Sequence, residues 1–184
     1  MMPAGSATLA IVVALAIGFG GGWLFKKETT TTTTTSTTIP LALACSGSVL
    51  VGSVGSSQGA AGTIQMTIDV TNEGSAPCRI KGYPTIQLLD SNMTEMTTTV
   101  VQGMADFEPA AANAAPTTQH LAAGGTDEFV MQYSDVPSGT QTTCPEAASI
   151  NVYPPGSATP FNVIASITPC GLGMLNVSPF FSGT

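Results

Sequence analysis

The chain is expected to be all-β: an immunoglobulin-like antiparallel β-sandwich head on a single N-terminal transmembrane helix and a Thr-rich linker. Three observations predict this. An apolar segment, Ala7–Phe25, runs into an unbroken threonine tract, Thr29–Thr35, followed by Ser36, Thr37 and Thr38. Beyond it, short runs alternate apolar and polar residues and are cut by Gly, Pro and Asn, the period-two pattern of half-buried strands. The cysteines, Cys45, Cys78, Cys144 and Cys170, all fall in that second part. The expected organisation is a tail over residues 1–6, an anchor over 7–25, a linker over 26–44 and a β-sandwich domain over 45–184.

Ala7–Phe25 is long enough to cross about 30 Å of hydrocarbon at about 1.5 Å per residue. Trp23 and Phe25 stand where an interfacial aromatic belt belongs. Gly18, Gly20, Gly21 and Gly22 would allow close packing of a second helix. No Lys or Arg precedes the segment and Lys26 and Lys27 follow it, a bias that alone would keep the C-terminal side in the cytoplasm. The cysteines outweigh it, because disulfides are rare in the cytosol. The expected location is the cell membrane, single-pass, with the C-terminal domain extracytoplasmic. Ala42-Leu43-Ala44 before Cys45 imitates a signal-peptidase or lipoprotein cleavage site. Such a site follows the apolar core directly, whereas here the threonine tract intervenes, and a lipid on Cys45 would leave an unpaired thiol. The linker has nothing apolar to bury and is expected to stay extended, with hydroxyls open to O-glycosylation.

In the head, Ile64, Met66, Ile68 and Val70 alternate with polar residues, and Asn72-Glu73-Gly74-Ser75 ends that strand as a turn. Phe129, Met131 and Tyr133 repeat the pattern before Ser134-Asp135-Val136-Pro137, and Ile150 and Val152 before Pro154-Pro155-Gly156. Phe161, Val163 and Ala165 do so before Thr168-Pro169. Further strands are expected in Ser48–Val54, Arg79–Leu89, Thr97–Val101 and Met174–Pro179. Ala110–Ala115 is short and precedes Pro116, so it is read as loop. Short strands without a sustained helical period make a sandwich.

Composition narrows the function. Charged residues are 8% of the chain, against about 25% in an average soluble domain. Of the 11 acidic residues only Glu28 precedes the head, and of the 4 Lys and Arg only Arg79 and Lys81 lie within it. A head this acidic repels phosphate backbones and anionic lipid surfaces, which excludes nucleic acid as a partner. The cysteines lack zinc spacing and Cys-x-x-Cys. Structural disulfides are expected, and of the possible pairings Cys45–Cys78 and Cys144–Cys170 each close a local piece of chain.

Several phrases resemble a known family. They are Cys45, Gly59-Ala60-Ala61-Gly62 leading to Thr71-Asn72-Glu73-Gly74-Ser75, then Cys78-Arg79-Ile80-Lys81-Gly82-Tyr83-Pro84 and Leu88-Leu89-Asp90. Later come Leu121-Ala122-Ala123-Gly124-Gly125-Thr126, Ser134-Asp135-Val136-Pro137, and Val152-Tyr153-Pro154-Pro155-Gly156 with Cys170 beyond. In this order they resemble the actinobacterial secreted and lipoprotein domain called domain of unknown function 4232. The resemblance covers nearly the whole head and implies an exported all-β domain with disulfides. It carries no activity, so it transfers no functional residue. Gly82 and Gly125 are expected at turns with positive φ, and Pro84 and Pro154-Pro155 where ladders end.

Three patterns suggest chemistry. Gly55-Ser56-Ser57-Gln58-Gly59 matches the nucleophile elbow, with His120 and Asp106 as paper partners for a serine hydrolase. That motif works on a strand-to-helix turn of a parallel sheet, and here it sits in a Gly/Ser-rich stretch, Gly52–Gly62, read as a flexible loop. Met93, Met96, Met104 and His120 are soft ligands of the kind that hold copper. Asp127, Glu128 and Asp135 would suit calcium, without the Asp-x-Asp-x-Asp-Gly loop. Asn92-Met93-Thr94 and Asn176-Val177-Ser178 are formal glycosylation sequons. No catalytic, cofactor or metal residue is assigned. The expected function is a non-enzymatic binding or cell-envelope interaction module, tethered to the membrane by its N-terminal helix, with an envelope protein or glycan as ligand. A copper- or calcium-binding exported protein is the alternative, and a small serine hydrolase the remoter one. Gly103–Gln119, the longest irregular segment, is the candidate recognition loop.

Overall fold

A computed structural model describes residues 42–103 and 106–183, all within the unit Ile39–Thr184. The expected anchor, the threonine tract, the glycines of the anchor and Met104 lie outside the described residues. Among the described residues no helix is long and apolar enough to cross a membrane.

The domain is all-β, with strands in three sheets. Strand β1 is Leu43–Ala44, β2 Leu50–Ala60, β3 Thr63–Asn72, β4 Cys78–Ile80, β5 Thr85–Leu89 and β6 Thr99–Gln102. Then follow β7 Gln119–Leu121, β8 Thr126–Ser134, β9 Ala147–Tyr153, β10 Phe161–Ile167 and β11 Met174–Val177. One sheet has the order β2-β3-β8-β11-β6, a second β10-β9-β5, and a third β1-β4-β7. The first two share one core. Met66, Ile68, Val70, Phe129 and Met131 from one bury against Ile86, Leu88, Ile150, Val152 and Val163 from the other. Burying one alternate face of each strand is what drives the pairing.

The four runs with strict alternation became β3, β8, β9 and β10, longer than their apolar residues alone suggested. Several expectations are corrected. Arg79–Leu89 is two strands rather than one, because Gly82 takes φ +117 and Pro84 offers no N–H, so the ladder breaks between them. The stretch Gly52–Gly62 is mostly β2, not a loop. Its backbone pairs with β3 from Leu50↔Asn72 to Ala60↔Thr63, and ladder bonds supply the order that its small side chains do not. The domain is not purely antiparallel, since β1 pairs β4 and β11 pairs β6 in parallel. Leu43 and Ala44, expected in the linker, belong to a sheet. Gly125 is not the positive-φ residue of its turn. Gly124 is, at φ +75, while a Cβ on Gly125 would press on the Ala122 backbone at 3.1 Å. Ala110–Asn113 forms one 3-10 turn inside the expected loop.

The disulfides are Cys45–Cys78 and Cys144–Cys170 and leave no free cysteine. The first ties the start of the domain to β4, beside the hydrogen bond from Cys45 N–H to the Arg79 carbonyl at 2.9 Å.

Candidate functional site

On β3 the even-numbered residues enter the core, so Gln65, Thr67, Asp69 and Thr71 point to the outer face of the five-stranded sheet. On β8 the odd residues Phe129, Met131 and Tyr133 enter the core, which sends Glu128, Val130 and Gln132 outward. The registers Gln58↔Gln65, Gln65↔Gln132 and Gln132↔Asn176 then place carboxamides from β2, β3, β8 and β11 in a single row. The next row is Ser56↔Thr67↔Val130, with Ser56 Oγ donating to Thr67 Oγ1 at 3.2 Å.

The segment after β6 walls this row. Phe107 is buried with Ala112, Val130 and Phe181 in a second apolar cluster on the outer face of the sheet. The Asn113 side chain clasps the turn: its Oδ1 accepts the Phe107 N–H at 2.9 Å and its Nδ2 donates to the Phe107 carbonyl at 2.6 Å. Gln65 binds the same segment twice. Its Nε2 donates to the Glu108 carbonyl at 2.7 Å, and its Oε1 accepts the Glu108 N–H at 3.0 Å. On one side of this clasp lies a groove of about 320 Å³ that reaches Gln58, Gln132, Asp106 and Glu108. On the other side a groove of about 280 Å³ reaches Ser56, Ser57, Thr67 and Pro109. Gln58, Gln65 and Glu108 border both.

Two groups in this face are held against their ordinary chemistry. Gln132 Oε1 is buried with no hydrogen-bond partner among the described residues. Asp69 and Glu128 sit directly across from each other on β3 and β8. Burial first, and then the Asp69 charge, push the Glu128 carboxyl above the usual carboxylate range. A register shift at Gly55 bulges β2 beside them, and a side chain there would collide with the Asp69 carboxylate.

A family model described as domain of unknown function (DUF4232) matches residues 45–180. The chain belongs to this family. No curated protein and no solved structure matches it. The DUF4232 match opens at Cys45 and runs past β11, so the family's own unit contains the carboxamide row, the clasped segment and both disulfides.

Within the DUF4232 domain the sequence-derived candidates scatter. Ser57, the middle of the nucleophile-elbow pattern, lies in β2 opposite Met66 of an antiparallel neighbour, so no strand-to-helix turn presents it. Asp106 borders the larger groove, but His120 lies on β7 across from Arg79, in another sheet, and borders neither groove. Met93 is at the exposed turn Asp90–Thr94, with its sulfur 3.8 Å from Ser149 Oγ, and Met96 is half-buried past it. Neither stands on the sheet of His120. Asp127 faces inward, Glu128 outward, and Asp135 is exposed beyond the far end of β8. Among the described residues no three of His, Cys, Asp and Glu gather to hold a metal.

Gln58, Gln65, Gln132 and Asn176 were not legible as a site. Neighbours in the row lie up to 67 residues apart in sequence, between Gln65 and Gln132, each reads singly as an ordinary outward strand position, and only register aligns them.

Proposed function

We propose that this DUF4232 chain is a membrane-anchored, extracytoplasmic recognition module that binds a neutral, hydroxyl-rich envelope glycan along the carboxamide row. It performs no chemistry on that ligand. Its head is read as immunoglobulin-like, because β2-β3-β8 against β10-β9-β5 repeats the A-B-E and G-F-C halves of that sandwich. The departure is β11, which lies between β8 and β6.

The observation that carries the proposal is the aligned row of amides that includes an unpartnered Gln132 oxygen, beside the carboxylates of Asp106 and Glu108. A planar amide offers two donors and one acceptor, which suits sugar hydroxyls that donate and accept. Repetition across adjacent strands, about 4.8 Å apart, suits an extended ligand of repeating units. An orphan buried acceptor costs about 1–3 kcal/mol in the free protein, and a ligand hydroxyl that draws the Gln132 carboxamide toward the groove and donates to its oxygen removes that cost. Non-catalytic action is supported by the separation of Ser57 from His120 on different sheets.

The test is carboxamide NMR of the full-length protein in neutral micelles, titrated with neutral hexose, pentose and N-acetylhexosamine oligosaccharides. Binding should move the Gln58, Gln132 and Asn176 side-chain signals and leave the sugars chemically unchanged. Gln132→Ala should weaken it about tenfold, which is about 1.4 kcal/mol, without lowering the melting temperature. If no oligosaccharide moves those signals, the glycan reading fails; cleaved sugars would refute the non-enzymatic part.

A further inference from the structure

The head has ten acidic residues, 11 less Glu28, and its two cations are Arg79 and Lys81, so it carries 2 − 10 = −8 with His120 neutral. Both cations are exposed, and both line a single groove of about 330 Å³ with Ala44, Thr118 and Pro155. Local structure explains the pairing. Strand β4 turns Cys78 and Ile80 inward and Arg79 outward, and Lys81 leaves the strand on the side of Arg79. Registers bring the rest: Arg79 stands between Ala44 of β1 and His120 of β7, the chain's single histidine. Every lysine, arginine and histidine of the head therefore sits on one face of the third sheet.

No acidic residue lines this groove. Asp69 and Glu128 are on the outer face of the five-stranded sheet and Asp106 and Glu108 border its grooves. Asp90 closes the turn to Thr94, and Glu146 accepts from Ser166 Oγ at 2.8 Å. Two like charges held side by side repel unless an anion joins them.

We propose that the Arg79–Lys81 groove is a binding site for a single phosphate group, independent of the carboxamide row and on a different sheet. Arginine's fork takes two phosphate oxygens at once, lysine adds a point charge, and the Thr118 hydroxyl is a further donor. The net charge of the head disfavours a long polyanion and the approach of an anionic membrane as a whole, while one phosphate inside the groove, free or on a single headgroup, feels the near cations more than distant carboxylates screened over about 8 Å. Lipid headgroups and soluble phosphate both present this chemistry.

Arg79 is the only arginine of the chain, so its Nε–H NMR signal needs no assignment. The full-length protein is measured in maltoside micelles against inorganic phosphate at constant ionic strength, and separately in phosphatidylglycerol nanodiscs without phosphate in the buffer. A saturable shift in micelles identifies soluble phosphate as a source, and the same shift in nanodiscs identifies the headgroup. In either case Lys81→Gln should weaken binding about tenfold. No shift in both settings, a shift that chloride reproduces, or one that Lys81→Gln leaves intact overturns the proposal.

Discussion

Asn72 shows how one buried amide holds two loops together. Its Nδ2 donates to the carbonyls of Ala76, Leu121 and Ala122 at 3.0, 3.2 and 3.2 Å, and its Oδ1 accepts the Gly74 N–H at 2.9 Å. Asn72→Ala would strand these groups away from water, so urea unfolding should show a loss of about 2–4 kcal/mol; a loss under about 0.5 kcal/mol would contradict the role. The turn at Asn72 was legible because Asn-Glu-Gly-Ser is turn chemistry, but its bonds to Leu121 and Ala122 were not, since nothing local signals a partner about 50 residues away. Asp127 makes the second prediction at this scale. Burial, partly offset by the nearby Ser182 side chain and reinforced by the Glu128 charge, raises its carboxyl from 3.8 to about 6. A raised carboxyl binds its proton in the folded state while the unfolded chain has released it, so stability falls as pH rises from roughly 4 to roughly 6. Glu128 acts in the same direction. Thermal melting of Asp127→Asn should show a shallower slope, with only the Glu128 contribution left, and gain about 1–2 kcal/mol over wild type at pH 7. An unchanged slope would refute the assignment.

At the scale of elements, the segment Asp106–Asn113 decides whether the carboxamide face has walls. It is fastened by Phe107 in its own buried cluster and by the Gln65–Glu108 clasp. Phe107→Ala should cost about 3–4 kcal/mol and weaken any ligand of the groove. If chemical denaturation instead finds the variant as stable as wild type, the segment is not packed as described. The sequence marked Gly103–Gln119 as the long irregular stretch, yet one phenylalanine among alanines and prolines does not reveal which face it will cover. Strands show the same division. Those with strict alternation, such as Ile64–Val70, were readable from one strand alone. Strand β2 was not, because Gly, Ser and Gln make no apolar stripe and its order comes from β3.

For the whole molecule, the disulfides close loops of 33 and 26 residues. Chain entropy assigns each a stabilisation of about 3.5 kcal/mol, so reduction should lower the melting temperature markedly, and the Cys45→Ser/Cys78→Ser pair should lower it without touching the carboxamide row. Intact mass from native membranes tests the proposed location. One hydrogen gained per cysteine on reduction, with the N-terminal residues still present, is the expected result; four free thiols before reduction would place the head in a reducing compartment and end the extracytoplasmic reading.

The sequence by itself determined the all-β class, the strongly alternating strands and the family, because each rests on local periodicity or a contiguous string of residues; among three possible disulfide pairings it favoured Cys45–Cys78 and Cys144–Cys170, and the fold decided them. Only the tertiary structure decided which outward side chains meet. It aligned Gln58, Gln65, Gln132 and Asn176, laid Phe107 over Val130 and put His120 beside Arg79. The physical reason is register. A slip of one residue between paired strands turns every side chain to the other face, and the energy that prevents the slip is spread over a core contributed by both sheets, which no single segment displays.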